Sequence, residues 1–130
     1  GGRVVSRREV LVGSDVIITA TTSRKPVVEG RLLKSGAVVA SIGAPKPVRE
    51  LDQATLERAR CILVDTREGV LGEAGELEGL ERPPELLELK EALQSKTCDM
   101  GDVKVYKSVG TALFDLAVAI HLYKKTMKQQ

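Results

Sequence analysis

Three short stretches of this chain combine small residues with hydroxyls or a glycine: ATTS at 20–23, SIGAPKP at 41–47 and YKSVG at 106–110. Such residues let a ligand come close to the backbone and offer hydroxyl donors, so Ala20, Thr21, Thr22, Ser23, Gly43 and Ser108 are candidate ligand contacts. Each has a plainer reading. ATTS suits a strand end and turn, Gly43 a tight turn before Pro45 and Pro47, and Ser108 the cap of a following helix. If that helix opens uncapped, its first amides form an anion site instead. Lys107 reads first as a solvated lysine and second as a contact to an anionic substrate.

Acid–base chemistry is harder to assemble. Glu73 and Glu76 of GEAGEL define no paired-carboxylate spacing, Asp65 ends a strand and enters a turn, and Asp115 and His121 are six apart and so not stacked on a helix. Asp115 and His121 read as satisfied polar groups at an interface. No residue is therefore assigned a catalytic role, and with one histidine and two distant cysteines no metal site of the usual zinc kind is expected.

The elements that must position these stretches alternate between strand and helix, the pattern of βαβ units and a mostly parallel sheet. Strands are expected at residues 3–6, 15–20, 37–42, 61–65 and 103–106, and helices or helical turns at 7–12, 30–33, 52–59, 68–71 and 84–95. SDVIITATTS, a continuous apolar run between turn signals, suits the middle of such a sheet rather than its edge. In an open α/β sheet ligands bind beyond the carboxyl ends of the strands, where all three stretches fall. In the helix expected from Pro84, Leu86, Leu89 and Leu93 recur at helical spacing and face the core. TALFDLAVAIHLYKKTM at 111–127 is a helix apolar on nearly every side, which asks for burial on more than one.

The totals bound the rest. With 130 residues the chain is one domain's worth, and a net charge of +2 with 2% aromatics argues against a nucleic-acid surface. No apolar run is long enough to span a membrane. Cys61 and Cys98, with no metal or redox spacing, read as reduced thiols of a cytoplasmic protein.

The order DVIITATTSRKPVV, GAVVASIGAPKPVRELD, VDTREGVLGEAGEL, VYKSVGTALFDLAVA resembles the ornithine cyclodeaminase and mu-crystallin family, from about residue 3 to 125 with a poor match near 78–102. The resemblance implies an α/β fold, a partial Rossmann-like parallel sheet with flanking helices lacking the first two strands. Residues 1–110 would be the carboxyl-terminal part of an NAD(P)-binding domain, opening at its third strand, and 111–130 a helix returning toward an absent second domain. It also implies NAD or NADP as cofactor and a small amino-acid or imino-acid substrate. Ala20, Thr21, Thr22, Ser23, Gly43 and Ser108 would then lie at the dinucleotide, and Lys107 with Ser108 at the substrate. The complete enzyme would be a homodimer, and this chain alone inactive without its missing half or a partner chain.

Two departures shape the expected activity. No glycine fingerprint of the G-x-G-x-x-G kind is present, and Pro45 stands where the cyclodeaminases carry a catalytic aspartate. Proline cannot exchange a proton, which favours an imine or ketimine reductase or amino-acid dehydrogenase over an ornithine cyclodeaminase. A non-catalytic assembly fragment is the reading from a different class.

Overall fold

A computed structural model of the chain describes residues 1–127. Five parallel strands, β1 (Val16–Thr19), β2 (Val38–Ser41), β3 (Cys61–Val64), β4 (Glu85–Glu88) and β5 (Lys104–Lys107), form one sheet in the order β1-β2-β5-β3-β4. Continued doubly wound succession would seat β3 beside β2. The last strand takes that place instead, so β5 runs down the middle of the sheet.

Five helices accompany the strands: α1 (Arg7–Gly13), α2 (Gln53–Ala59), α3 (Arg67–Glu73), α4 (Leu89–Leu93) and α5 (Ala112–Met127). Short 3₁₀ turns lie at Gly30–Leu32 and Gly75–Leu77. Asp52 is the pivot of the first turn and α2, because its Oδ1 accepts from Thr55 N and Thr55 Oγ1 at the helix start and from Gly30 N across the chain. A Cβ at Gly30 would stand 2.3 Å from Thr55 N, so only glycine permits this approach.

The register lays two rows of side chains across one face of the sheet. Ile17, Val39, Val105, Ile62 and Leu86 stand side by side, and two residues further on Thr19, Ser41, Lys107, Val64 and Glu88 do the same. The first row is the centre of the core with Leu11, Val28, Leu56 and Val103. The second row, at the carboxyl ends, is buried yet mostly polar.

Several expectations are corrected. Residues 3–6 form no strand: Ser6 is the N-cap of α1, its Oγ accepting from Glu9 N and its own N–H donating to the Glu9 carboxylate, and among the described residues no strand pairs with the segment. The run at 14–23 gives an edge strand, with Val16 59% and Ile18 71% exposed on the face opposite the core. Helix does not begin at Pro84. Residues 85–88 pair along β3, a tertiary gain that overrides local preference, and α4 starts only at Leu89, leaving Leu93 81% exposed rather than in the core.

Cys61 and Cys98 are joined in a disulfide with their Cα atoms 6.2 Å apart, which removes the ground for reading them as reduced cytoplasmic thiols. The bond ties the loop before β5 to the start of β3. The expected terminal helix is present as α5, without a buried residue, while positions 128–130 of the segment 111–130 lie outside the described residues. Asp115 and His121 are exposed on it, not held at an interface within this chain.

Candidate active site at the carboxyl edge of the sheet

The strands β1, β2 and β5 are neighbours, so their carboxyl ends bring residues 20–23, 42–44 and 108–110 to one edge. What holds these loops together is a set of buried charges in the polar row and just beyond it. Glu50, fully buried, sends its carboxylate under the edge. Oε2 accepts from Thr19 Oγ1 at 2.8 Å, Ser41 Oγ at 2.8 Å and Gly43 N at 2.9 Å, and Oε1 accepts from Thr21 N at 2.6 Å. Burial pushes this carboxyl up, but the four donors from Gly43, Ser41, Thr19 and Thr21 together outweigh it and hold it at about 2.

Lys107 is buried as well, not solvated. Its Nζ donates to Gly43 O at 2.6 Å, Ser41 Oγ at 3.1 Å and Glu76 Oε1 at 3.2 Å. The backbone of Gly43 is thereby gripped from both sides, its N–H by a carboxylate and its carbonyl by an ammonium. A Cβ at Gly43 would meet Glu50 Cδ at 2.5 Å and Thr21 O at 2.7 Å. Close approach is what this glycine serves, and the approaching groups are protein.

Glu76 completes the cluster. Its Oε1 also accepts from Glu50 N at 2.9 Å, and its buried Oε2 has no hydrogen-bond partner among the described residues. Asp65 organises the loop after β5, Oδ2 accepting from Ser108 Oγ at 2.8 Å, Val109 N at 3.0 Å and Gly110 N at 2.8 Å. Ser108 is therefore not the cap of α5, which begins at Ala112.

The residues expected at the site fall into two sets. Gly43, Lys107 and Ser108 are buried and bonded to protein, forming the rim's inner wall. Ala20 and Thr22 are exposed, Thr21 and Ser23 half-buried. Thr21 Oγ1 accepts from Ser23 N, and Ser23 Oγ donates to Lys25 O. Of the four candidate hydroxyls, Thr22 alone has no hydrogen bond among the described residues.

Glu50 has no signature in the sequence, because an acid between Arg49 and Leu51 carries no periodic or spacing signal. Glu76 was visible only as one of several acids in a Gly/Glu-rich connection, and its pairing with Lys107 spans 31 residues. Among the described residues no group of acids, histidines and cysteines could hold a metal ion.

A nicotinamide dinucleotide fits what this edge offers. Small or hydroxyl side chains at Ala20 and Thr22 are open to it, the backbone at 42–44 and 108–110 is rigidly presented, and Lys107 lies beneath the edge.

Comparison with known proteins places the chain in a family. The model of the ornithine cyclodeaminase/mu-crystallin family matches residues 3–130. The chain is 36% identical over 121 residues to the ketimine reductase mu-crystallin of Rattus norvegicus, covering 91% of this chain and 38% of that protein. Among solved structures it resembles the Thermococcus litoralis Δ1-pyrroline-2-carboxylate reductase in complex with NADH and L-proline, with TM-score 0.81 and 33% identity over 97% of this chain and 42% of that one. A probable ornithine cyclodeaminase from Bordetella pertussis gives TM-score 0.80 and 35% identity, covering 98% of this chain and 44% of that chain. This chain thus spans about two fifths of the length of the relatives it matches. With a parallel sheet and a family match from residue 3 onward, the chain belongs to the ornithine cyclodeaminase/mu-crystallin family.

Proposed function

We propose that this chain supplies the carboxyl-terminal part of the NAD(P)-binding domain of an imine reductase that acts on a small cyclic imino acid. The observation that carries this reading is Thr22. Its hydroxyl is exposed at the carboxyl edge and, among the described residues, unpaired, where the neighbouring hydroxyls each have a protein partner, in a chain that shares its fold with a protein solved with NADH and L-proline. When bound, the dinucleotide supplies the hydride. The chain's own work is to present Ala20, Thr22 and the amides beyond β2 and β5 to it, with Gly43, Lys107 and Ser108 fixing that rim from behind.

Reduction is favoured over ornithine cyclisation because position 45 is a proline, which has no group to take or give a proton. Residues 1–110 form the dinucleotide part, and α5 reaches toward a second domain or partner chain that also covers the open face of β1. The complete enzyme would act as a homodimer.

The test uses the polypeptide that carries this chain. NADH or NADPH oxidation should depend on a cyclic imino acid such as Δ1-pyrroline-2-carboxylate and yield the saturated amino acid. Thr22→Val should weaken dinucleotide binding by roughly 0.5–1.5 kcal/mol, the worth of one hydrogen bond, without lowering the melting temperature. Unchanged affinity with a lower melting temperature would leave Thr22 a strand-end residue, and ammonia and proline released from ornithine at an enzyme's rate would overturn the reductase.

A further inference from the structure

Glu50 lies behind the dinucleotide edge and cannot touch a ligand, yet the two oxygens of its carboxylate divide their work unequally. Oε2 takes three donors, from Thr19, Ser41 and Gly43, all at or just beyond the ends of β1 and β2. Oε1 takes one, the amide of Thr21 at 2.6 Å. Among the described residues, no other hydrogen bond joins the residues at 20–22 to the body of the domain; the next anchor is Ser23, whose carbonyl accepts from Arg49 N.

We propose that Glu50 is the positioning residue of the dinucleotide edge, its Oε1 setting the place of the 20–23 loop through the Thr21 amide. This rests on the dinucleotide reading given above. Three features make the carboxylate a rigid post. Its backbone N–H is held by Glu76 Oε1, its backbone carbonyl accepts from Val27 N and Val28 N at 2.9 and 2.8 Å, and the Glu76 carboxylate is itself fixed by Lys107. Gly43 gives the carboxylate its seat, since a Cβ there would stand 2.5 Å from Glu50 Cδ.

The chemistry of the site supplies a selective probe. In Glu50→Gln the amide oxygen can take the place of Oε2 and keep all three of its donors, which leaves an NH₂ facing the Thr21 N–H. Two donors then oppose each other at hydrogen-bond distance, and the 20–23 loop must move while the β2 side stays. Size and packing are unchanged, so the substitution separates position from bulk.

The experiment measures E50Q and wild type in the polypeptide that carries this chain, by NADH titration below both melting transitions and by amide exchange of residues 20–23 and 41–44. The expected result is an NADH dissociation constant raised about tenfold or more, the equivalent of one charge-assisted hydrogen bond, with exchange accelerated at 20–23 and nearly unchanged at 41–44. A lower melting temperature with unchanged NADH affinity and unchanged exchange at 20–23 would overturn the proposal and leave Glu50 a structural residue. Should E50Q fail to fold, Thr19→Val removes one donor from the same carboxylate at a strand residue. It is expected to shift both readouts in the same direction by two- to threefold, and no shift in either overturns the proposal. Wild type binding neither NADH nor NADPH would instead defeat the dinucleotide reading, while the exchange data still decide whether Glu50 positions the loop.

Discussion

Glu50 is a charge that pH can remove, and the sign of its effect follows from its bonding. Its folded carboxyl is held at about 2 against an ordinary 4.5, so the stabilisation is fully present above pH 4.5 and is lost as pH falls toward 2. A shift of that size in a buried group corresponds to stability on the order of 1–3 kcal/mol. Urea melts of wild type and E50Q between pH 6 and 2.5 should show a steeper loss in wild type over this window, since the other carboxylates held low by partners, such as Glu91 and Asp99, are common to both. Parallel curves would mean that the four donors do not favour the ionised form. At Gly43 the expectation is steric. Gly43→Ala pushes a methyl into Glu50 and the Thr21 carbonyl, and should cost roughly 1–3 kcal/mol in the same melts. Only the position of Gly43 was legible in the sequence. That the crowding groups are a buried carboxylate and a carbonyl depends on contacts spanning seven and more than twenty residues, which no local pattern reports.

Among the elements, the loop before β5 is the one most dependent on a single tie. Cys98 bonds Cys61 across 37 residues; of the flanking pairs, Arg60–Asp99 is largely exposed and so weak, while Arg58–Asp102 is only partly exposed. Cys98→Ala should lower unfolding stability by about 3–4 kcal/mol, and reduction of wild type should bring it to the same value; an unchanged urea midpoint in both would show that the bond constrains nothing. Elements with strong local signals were legible: α2, β2 and β3 from the alternation of strand and helix patterns, and α5 from its apolar run. Those decided by a neighbour were not. Residues 85–88 carry helix-compatible Glu and Leu but become β4 because β3 offers an open edge, and residues 3–6 carry strand-compatible valines but find no edge to join.

At the scale of the whole molecule, the terminal helix and the first strand both leave apolar surface open. Leu113 and Leu116 on α5 are 70% and 54% exposed, and Val16 and Ile18 of β1 face outward on an edge strand. Burying a large aliphatic side chain is worth about 1.5–3 kcal/mol, so these surfaces favour association. Light scattering on the 130-residue chain should show a mass above the 14.0 kDa of one copy, and Leu116→Glu with Ile120→Glu should return it to that mass without lowering the melting temperature. A monomer from the outset would mean that α5 needs no cover. The central claim concerns the edge between β1 and β5, and the chain has a competing concavity, an open cleft of about 770 Å³ between α2 and residues 79–84. Hydrogen–deuterium exchange of the polypeptide carrying this chain, with and without saturating NADH or NADPH, distinguishes them directly. Protection at residues 20–23, 42–44 and 108–111, with 53–60 and 79–84 unchanged, is the predicted result; protection confined to 53–60 and 79–84 would contradict it.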